Sequence, residues 1–144
     1  MDRTDNNIFL KNLFESQQLA VLATQSENTP YTNLIAFCNT STNRELLFAT
    51  FKSTTKYQNL KKNNKVSILF DNRRNNISDF SKAITATAIG TARDVDKEEF
   101  RDIYLAKHPH LEGFLNNSDC ALIMIKVDKY IVVEKFQEKY TYKP

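Results

Sequence analysis

Glycine is scarce in this chain, with only Gly90 and Gly113 among 144 residues. Neither a G-x-G-x-x-G dinucleotide fingerprint nor a G-x-x-x-x-G-K-[ST] phosphate loop can be written with two glycines, so any nucleotide must be held by side chains and helix ends. Tryptophan is absent. The two cysteines, Cys38 and Cys120, lie in apolar strand-like runs, too few and too far apart for a disulfide framework or a metal cluster, and read as buried free thiols. Charge is nearly balanced, 20 basic side chains against 17 acidic, and a net +3 gives no electrostatic case for nucleic acid or a membrane surface. No apolar run approaches the roughly 18 residues of a spanning helix. The polar start, Met1, Asp2, Arg3 and Thr4, lacks the plan of a secretory signal, so a cytoplasmic location is the expectation. At about 100–200 residues per domain, residues 1–144 are expected to form a single domain.

What is present alternates strongly. Phe9 with Leu13 and Leu10 with Phe14 stand four apart, which predicts a short amphipathic helix over 8–17 capped by Asp5 or Asn6. Strands are predicted over 19–24 and 31–38 around a turn containing Pro30, then over 45–50, and over 65–71, where Val66, Ile68 and Phe70 alternate with polar residues. A polar loop over 72–81 leads to a β-branched run over 83–92, in which Gly90 marks a bulge or bend. Asp96 opens a helix to Lys107, Pro109 ends it, and a second short helix reaches Leu115. Two last strands, 120–127 and 130–136, flank a tight connection at Asp128 and Lys129, with Tyr140 and Tyr142 in a peripheral strand or tail. The total is about seven strands and three or so short helices without strand–helix alternation. That pattern indicates a mainly β fold, an antiparallel β-barrel with peripheral α-helices.

Chemistry concentrates where the third strand meets the next helix. Thr50, Ser53, Thr54 and Thr55 supply hydroxyls, and Lys56 supplies a positive charge in the first turn of a helix over 54–62. Unpaired amides and the positive end of the helix dipole favour an anion at such a place, although a Ser or Thr cap with a solvated lysine has the same spacing. His108 and His110 flank Pro109 without a cysteine or carboxylate at ligand spacing, and read as a helix stop, with a haem-ligand role as the alternative. Neither a Ser–His–acid set nor a carboxylate pair stands out, so no hydrolase and no catalytic residue is assigned.

The order of these elements resembles the pyridoxamine 5'-phosphate oxidase-like FMN-binding split barrels: a strand, a turn with proline, a strand over 31–38, a strand ending in Ala49 and Thr50, then Ser53-x-x-Lys56-x-x-Asn59-Leu60 and the strand 66–71. The similarity runs from about residue 19 to about residue 94 and continues more weakly to Phe136. The resemblance implies a homodimer of split β-barrels with FMN in clefts touched by both chains. It further implies that Asn33, Leu34 and Ile35 run along the isoalloxazine and that Ala49 and Thr50 adjoin the ring and ribityl chain. Ser53, Thr54, Thr55 and Lys56 would hold the phosphate, and Asn72 and Arg73 belong to a stretch resembling one that in some family members reaches a cofactor, from the same chain or across the dimer. The vitamin B6 oxidases carry an arginine near the positions of Asn33 and Leu34 and a C-terminal segment with tryptophan and arginine. This chain has neither, so the implied function is an FMN-binding oxidoreductase with a small-molecule redox substrate and a reduced nicotinamide nucleotide as possible donor. A flavin carrier or sensor and a haem-handling relative are the alternatives, and an oligonucleotide-binding barrel has less in its favour, since basic and aromatic strand residues do not interleave.

Overall fold

A computed structural model describes the backbone of residues 3–144 and the side chains of residues 8–144. Helix α1 (Arg3–Ser16) precedes β1 (Leu19–Ser26), β2 (Thr29–Asn39) and β3 (Glu45–Phe51). Then come α2 (Thr55–Lys62), β4 (Lys65–Asp71), the single turn α3 (Asp79–Lys82), β5 (Ile84–Val95) and α4 (Lys97–Lys107). A 3-10 turn (Pro109–Leu111), α5 (Glu112–Asn116), β6 (Cys120–Glu134) and β7 (Glu138–Tyr142) complete the chain. The sheet runs β3-β2-β1-β4-β5-β6-β7, and an additional β3–β6 pairing closes the first six strands into an antiparallel barrel. The fold is therefore mainly β, a split barrel with one extra strand and peripheral helices.

Alternation decides which side chains fill the barrel. Leu22, Ile35, Phe37, Leu46, Phe48, Ile68, Phe70 and Tyr130 are buried in one cluster with Leu10, Leu13 and Phe14 of α1, whose i, i+3, i+4 spacing puts them on one helical face. Phe14 closes this core, with ring centroids 4.7 Å from Phe70 and 5.8 Å from Phe37. The opposite faces of β3 and β6, with Cys38 of β2, form a second cluster in which Leu47, Ala49, Leu122 and Met124 pack beneath Tyr104 of α4 and Leu115 of α5. Both cysteines are free and buried. Burial pushes the Cys38 thiol up to about 12, which keeps it protonated and unreactive.

The last third of the chain differs from the sequence expectation. Residues 120–134 form one strand, not two, and the seventh strand is Glu138–Tyr142 after a turn in which Lys135 and Phe136 take positive φ. Asp128 and Lys129 read as a turn because both are polar, but they lie within β6. Ile89 pairs with Lys129 and Gly90 with Val127, so Asp128 is the extra residue of a β-bulge. The bulge anticipated at Gly90 is thus present, and its surplus residue sits on the partner strand. Helix α1 is already helical at Arg3, so Asp5 and Asn6 lie inside it instead of capping it. The polar loop after β4 ends in the extra turn α3.

Gly90 is required by close approach. A Cβ there would lie 2.2 Å from the carbonyl oxygen of Lys126, a backbone atom that cannot rotate away, whereas a Cβ on Gly113 would meet nothing within 4 Å. Gly90→Ala is expected to cost about 3 kcal/mol as an overpacking change, and Gly113→Ala to be neutral or to stabilise by about 0.5 kcal/mol. Urea unfolding of both variants beside wild type checks this, with equal midpoints for the two variants as the contrary result.

Candidate functional site

β2 pairs with β1 through residues 29–36 but with β3 only through Phe37, Cys38 and Asn39. Continuing that second ladder would set Ala36 against Ala49 and Ile35 against Thr50, yet the strands part there, and β3 goes on along β6 to Phe51. The barrel is split at this point. α2 lies over the mouth of the opening, pinned where Asn59 Nδ2 donates to Thr24 Oγ1 at 3.1 Å and where Leu60 joins the core.

The amino end of α2 is built as its sequence suggests. Thr54 is the N-cap, extended at φ −80° and ψ 155°, and its Oγ1 accepts from the Tyr57 amide while donating to the Phe51 carbonyl at 2.8 Å. Thr50, 1% exposed, shares a 2.9 Å hydroxyl contact with Thr54 and also bonds the Phe51 carbonyl. These two threonines tie the end of β3 to the start of the helix. Among the described residues the amides of Thr55 and Lys56 have no acceptor, and the half-buried Lys56 ammonium has neither an acidic partner nor a hydrogen bond. Burial lowers its pKa, so the site holds a positive charge at a desolvation cost that an anion would offset.

The remaining candidates separate. Ser53 Oγ donates to the Asp119 carboxylate at 3.0 Å, and this acid beside it works against an anion at Ser53 itself. Ala49 points away from the opening, into the layer beneath α4 and α5. On β2, Asn33 and Ile35 face the barrel while Leu34 turns outward. Asn33 Oδ1 is buried without a hydrogen-bond partner. Asn72 closes a loop, its Oδ1 accepting from the Ile84 amide at 2.8 Å and its own amide donating to the Ile84 carbonyl. Arg73 pairs with Asp71 at 2.8 Å beside a groove of about 710 Å³, whose apolar walls are Leu69, Ile77, Phe80, Val133 and Phe136. Phe80 and Phe136 make an edge contact with centroids 5.1 Å apart, though 62% and 68% exposed. The groove adjoins Val133 and the anion cluster adjoins Ala121, near opposite ends of β6, so one chain does not bring Arg73 to Lys56.

Sequence reasoning missed the clamp that α4 places on β2. Tyr104 donates its hydroxyl to the Ala36 carbonyl at 2.8 Å, His108 Nε2 lies 2.7 Å from the Phe37 carbonyl, and Lys107 Nζ donates to the Phe14 carbonyl at 2.9 Å, 3.7 Å from the Phe37 ring centroid. Burial lowers the pKa of His108, and with its ring on a backbone carbonyl it serves packing instead of ligation. Among the described residues no group of three His, Cys, Asp or Glu side chains could hold a metal ion, and no helix is long and apolar enough to cross a membrane. A Tyr and a His one turn apart carry no motif, so the only available signal was the apolar face shared by Phe100 and Tyr104.

Comparison with known proteins places this geometry. The profile of the family described as "Pyridoxamine 5'-phosphate oxidase" matches residues 9–133. No curated protein matches the chain. Among solved structures, a Clostridium acetobutylicum protein related to general stress protein 26 of B. subtilis, of the pyridoxinephosphate oxidase family, superposes with a TM-score of 0.76 at 18% identity, covering 99% of this chain and 96% of that one. A FAD-binding protein from Mesorhizobium loti gives 0.68 at 11% identity over 87% of this chain and 91% of the other. A heme binding protein from Mycobacterium smegmatis gives 0.78 at 15% identity over 91% of this chain, which spans only 57% of that protein.

Lys107 makes the clamp sensitive to pH. Burial pushes its ammonium down to about 8 from the ordinary 10.5, with Cys38 opposing the shift. Between about pH 8 and 10.5 the unfolded chain therefore holds a proton that the folded chain lacks at this site, and the contribution of Lys107 to stability rises with pH. Relative to Lys107→Met, wild type is expected to gain about 1 kcal/mol between pH 7.5 and 10, a figure reduced for the partial exposure of the ammonium. Urea unfolding at the two pH values measures the difference, and a gap between the proteins that does not change with pH contradicts it.

Proposed function

Because the chain belongs to the pyridoxamine 5'-phosphate oxidase family, we propose that it is an FMN-binding oxidoreductase working as a homodimer. The observation that carries this reading is the half-buried, unpartnered ammonium of Lys56 beside two free amides at the amino end of α2. A phosphate monoester dianion suits that arrangement: the ammonium neutralises it, and the amides of Thr55 and Lys56 with the exposed Thr55 hydroxyl supply donors. Thr50 and Thr54 act by fixing the strand-to-helix turn, since their hydroxyls are already engaged. Asn33 contributes a buried carbonyl oxygen still lacking a donor. Ser53, held by Asp119, is secondary in this arrangement.

The separation of the two half-sites supports the proposed dimer. With its anion cluster near one end of β6 and its apolar groove near the other, a chain would complete both against a second copy, since a twofold axis can set each half-site against the partner's complementary one. The uncovered outer row running from Leu34 through Val21 to Leu69 supports the same reading. Bound flavin supplies two-electron redox chemistry. The groove of Leu69, Phe80, Val133 and Phe136 covers apolar surface and excludes water, Arg73 at its rim adds positive charge, and a reduced nicotinamide nucleotide and a small acceptor are the proposed reactants. The FAD-binding relative supports flavin as the ligand class. The heme binding relative supports a haem-handling role as the alternative, in which the exposed His110 is the freer imidazole, since His108 is engaged with the Phe37 carbonyl.

Apo-protein titrated with FMN is expected to quench flavin fluorescence and turn yellow, with a dimer by light scattering. Lys56→Ala is expected to raise the Kd about 30-fold, or about 2 kcal/mol, the worth of a charge-assisted contact. Protein that takes up no FMN overturns the reading.

A further inference from the structure

From the way the barrel is held open, we infer that the Tyr104 hydroxyl is a positioning group for the cofactor cleft, setting the gap between β2 and β3 in which the flavin nucleotide lies. This rests on the flavin reading above. In the β2–β3 register Ala36 and Ala49 would form the next pair after Phe37 and Phe48. That pair is absent, and Tyr104 stands in its place: the hydroxyl donates to the Ala36 carbonyl at 2.8 Å, taking the acceptor that a continued ladder would give to the Ala49 amide. A side-chain hydroxyl thus replaces a backbone amide at the Ala36 carbonyl.

A side-chain oxygen between two strands holds them farther apart than a direct N–H···O=C bond does, and it does so at the last point before they diverge. Thr50 follows Ala49, and Ile35 precedes Ala36, so both strands leave this bridge directly into the residues assigned to the cleft. Tyr104 is wholly buried, packed beside Ala49, Cys120 and Leu122, so its ring cannot swing out and let the strands close. Without the hydroxyl, the part-buried Ala36 carbonyl loses its partner, and the shortest repair is to zip Ala36 onto Ala49, which narrows the cleft.

Tyr104→Phe keeps the ring and removes only the oxygen. It is expected to raise the FMN Kd about tenfold, to shift the visible circular dichroism of bound flavin, and to change hydrogen exchange at the Ala49 amide in cofactor-free protein. His108→Asn is the control, because His108 holds β2 at the neighbouring Phe37 carbonyl, outside the cleft. It is expected to lower the unfolding midpoint while leaving the FMN Kd within about twofold. Tyr104→Phe protein that binds FMN like wild type overturns the inference alone, as does His108→Asn weakening FMN as much as Tyr104→Phe. Wild-type protein that takes up no FMN overturns the flavin reading and this inference together.

Discussion

The structure turns on the place where β2 changes partners. A strand carries donors and acceptors along both edges, and β2 pairs with β1 up to Ala36 and with β3 only from Phe37. Between these two ladders the barrel must stay open, and polar backbone buried there must find partners elsewhere. α4 supplies one through Tyr104, and α2 lies over the opening through Asn59 and Leu60. The cleft, the placement of Thr50, and the exposure of the first amides of α2 all follow from this one interruption. A barrel zipped fully between β2 and β3 would have no cleft at this position.

Charge left unpaired near that opening is of one sign. The two amides left free at the amino end of α2 and the Lys56 ammonium point to one ligand charge, and nothing acidic among the described residues pairs with Lys56. Asp94 pairs with Lys61 at 2.8 Å and accepts from the Tyr57 hydroxyl at 3.2 Å. Asp119 is occupied by Ser53. The neighbouring carboxylates are engaged in holding α2 and its leading loop to the barrel, which leaves the positive charge of Lys56 uncompensated.

The barrel was readable because alternation and turn residues are local signals. Val66, Ile68 and Phe70 of β4 and the capping threonine of α2 lie where the pattern put them, and the irregularity at Gly90 is real. The last third misled because Asp128 and Lys129 have the chemistry of a turn. A bulge also exposes polar residues, and only pairing with β5 distinguishes the two. Seven strands were anticipated and seven are present, but the seventh is a different segment. Among the site residues, Thr50, Thr54, Thr55 and Lys56 fall together because they are neighbours in the chain. Ala49 turned the other way because strand geometry sends adjacent side chains to opposite faces.

Residue order alone was therefore sufficient for most element types, the buried faces and the capped helix start after β3 that carries Lys56, since each depends on spacings of one to four residues. The engagement of Ser53 by Asp119, the clamp of Tyr104 and His108 on β2, and the distance of Arg73 from Lys56 join residues 66, 68, 71 and 17 positions apart. Contacts across such separations are set by how the barrel closes and where it is split, which no local pattern encodes. They became visible only once β3 had paired with β6.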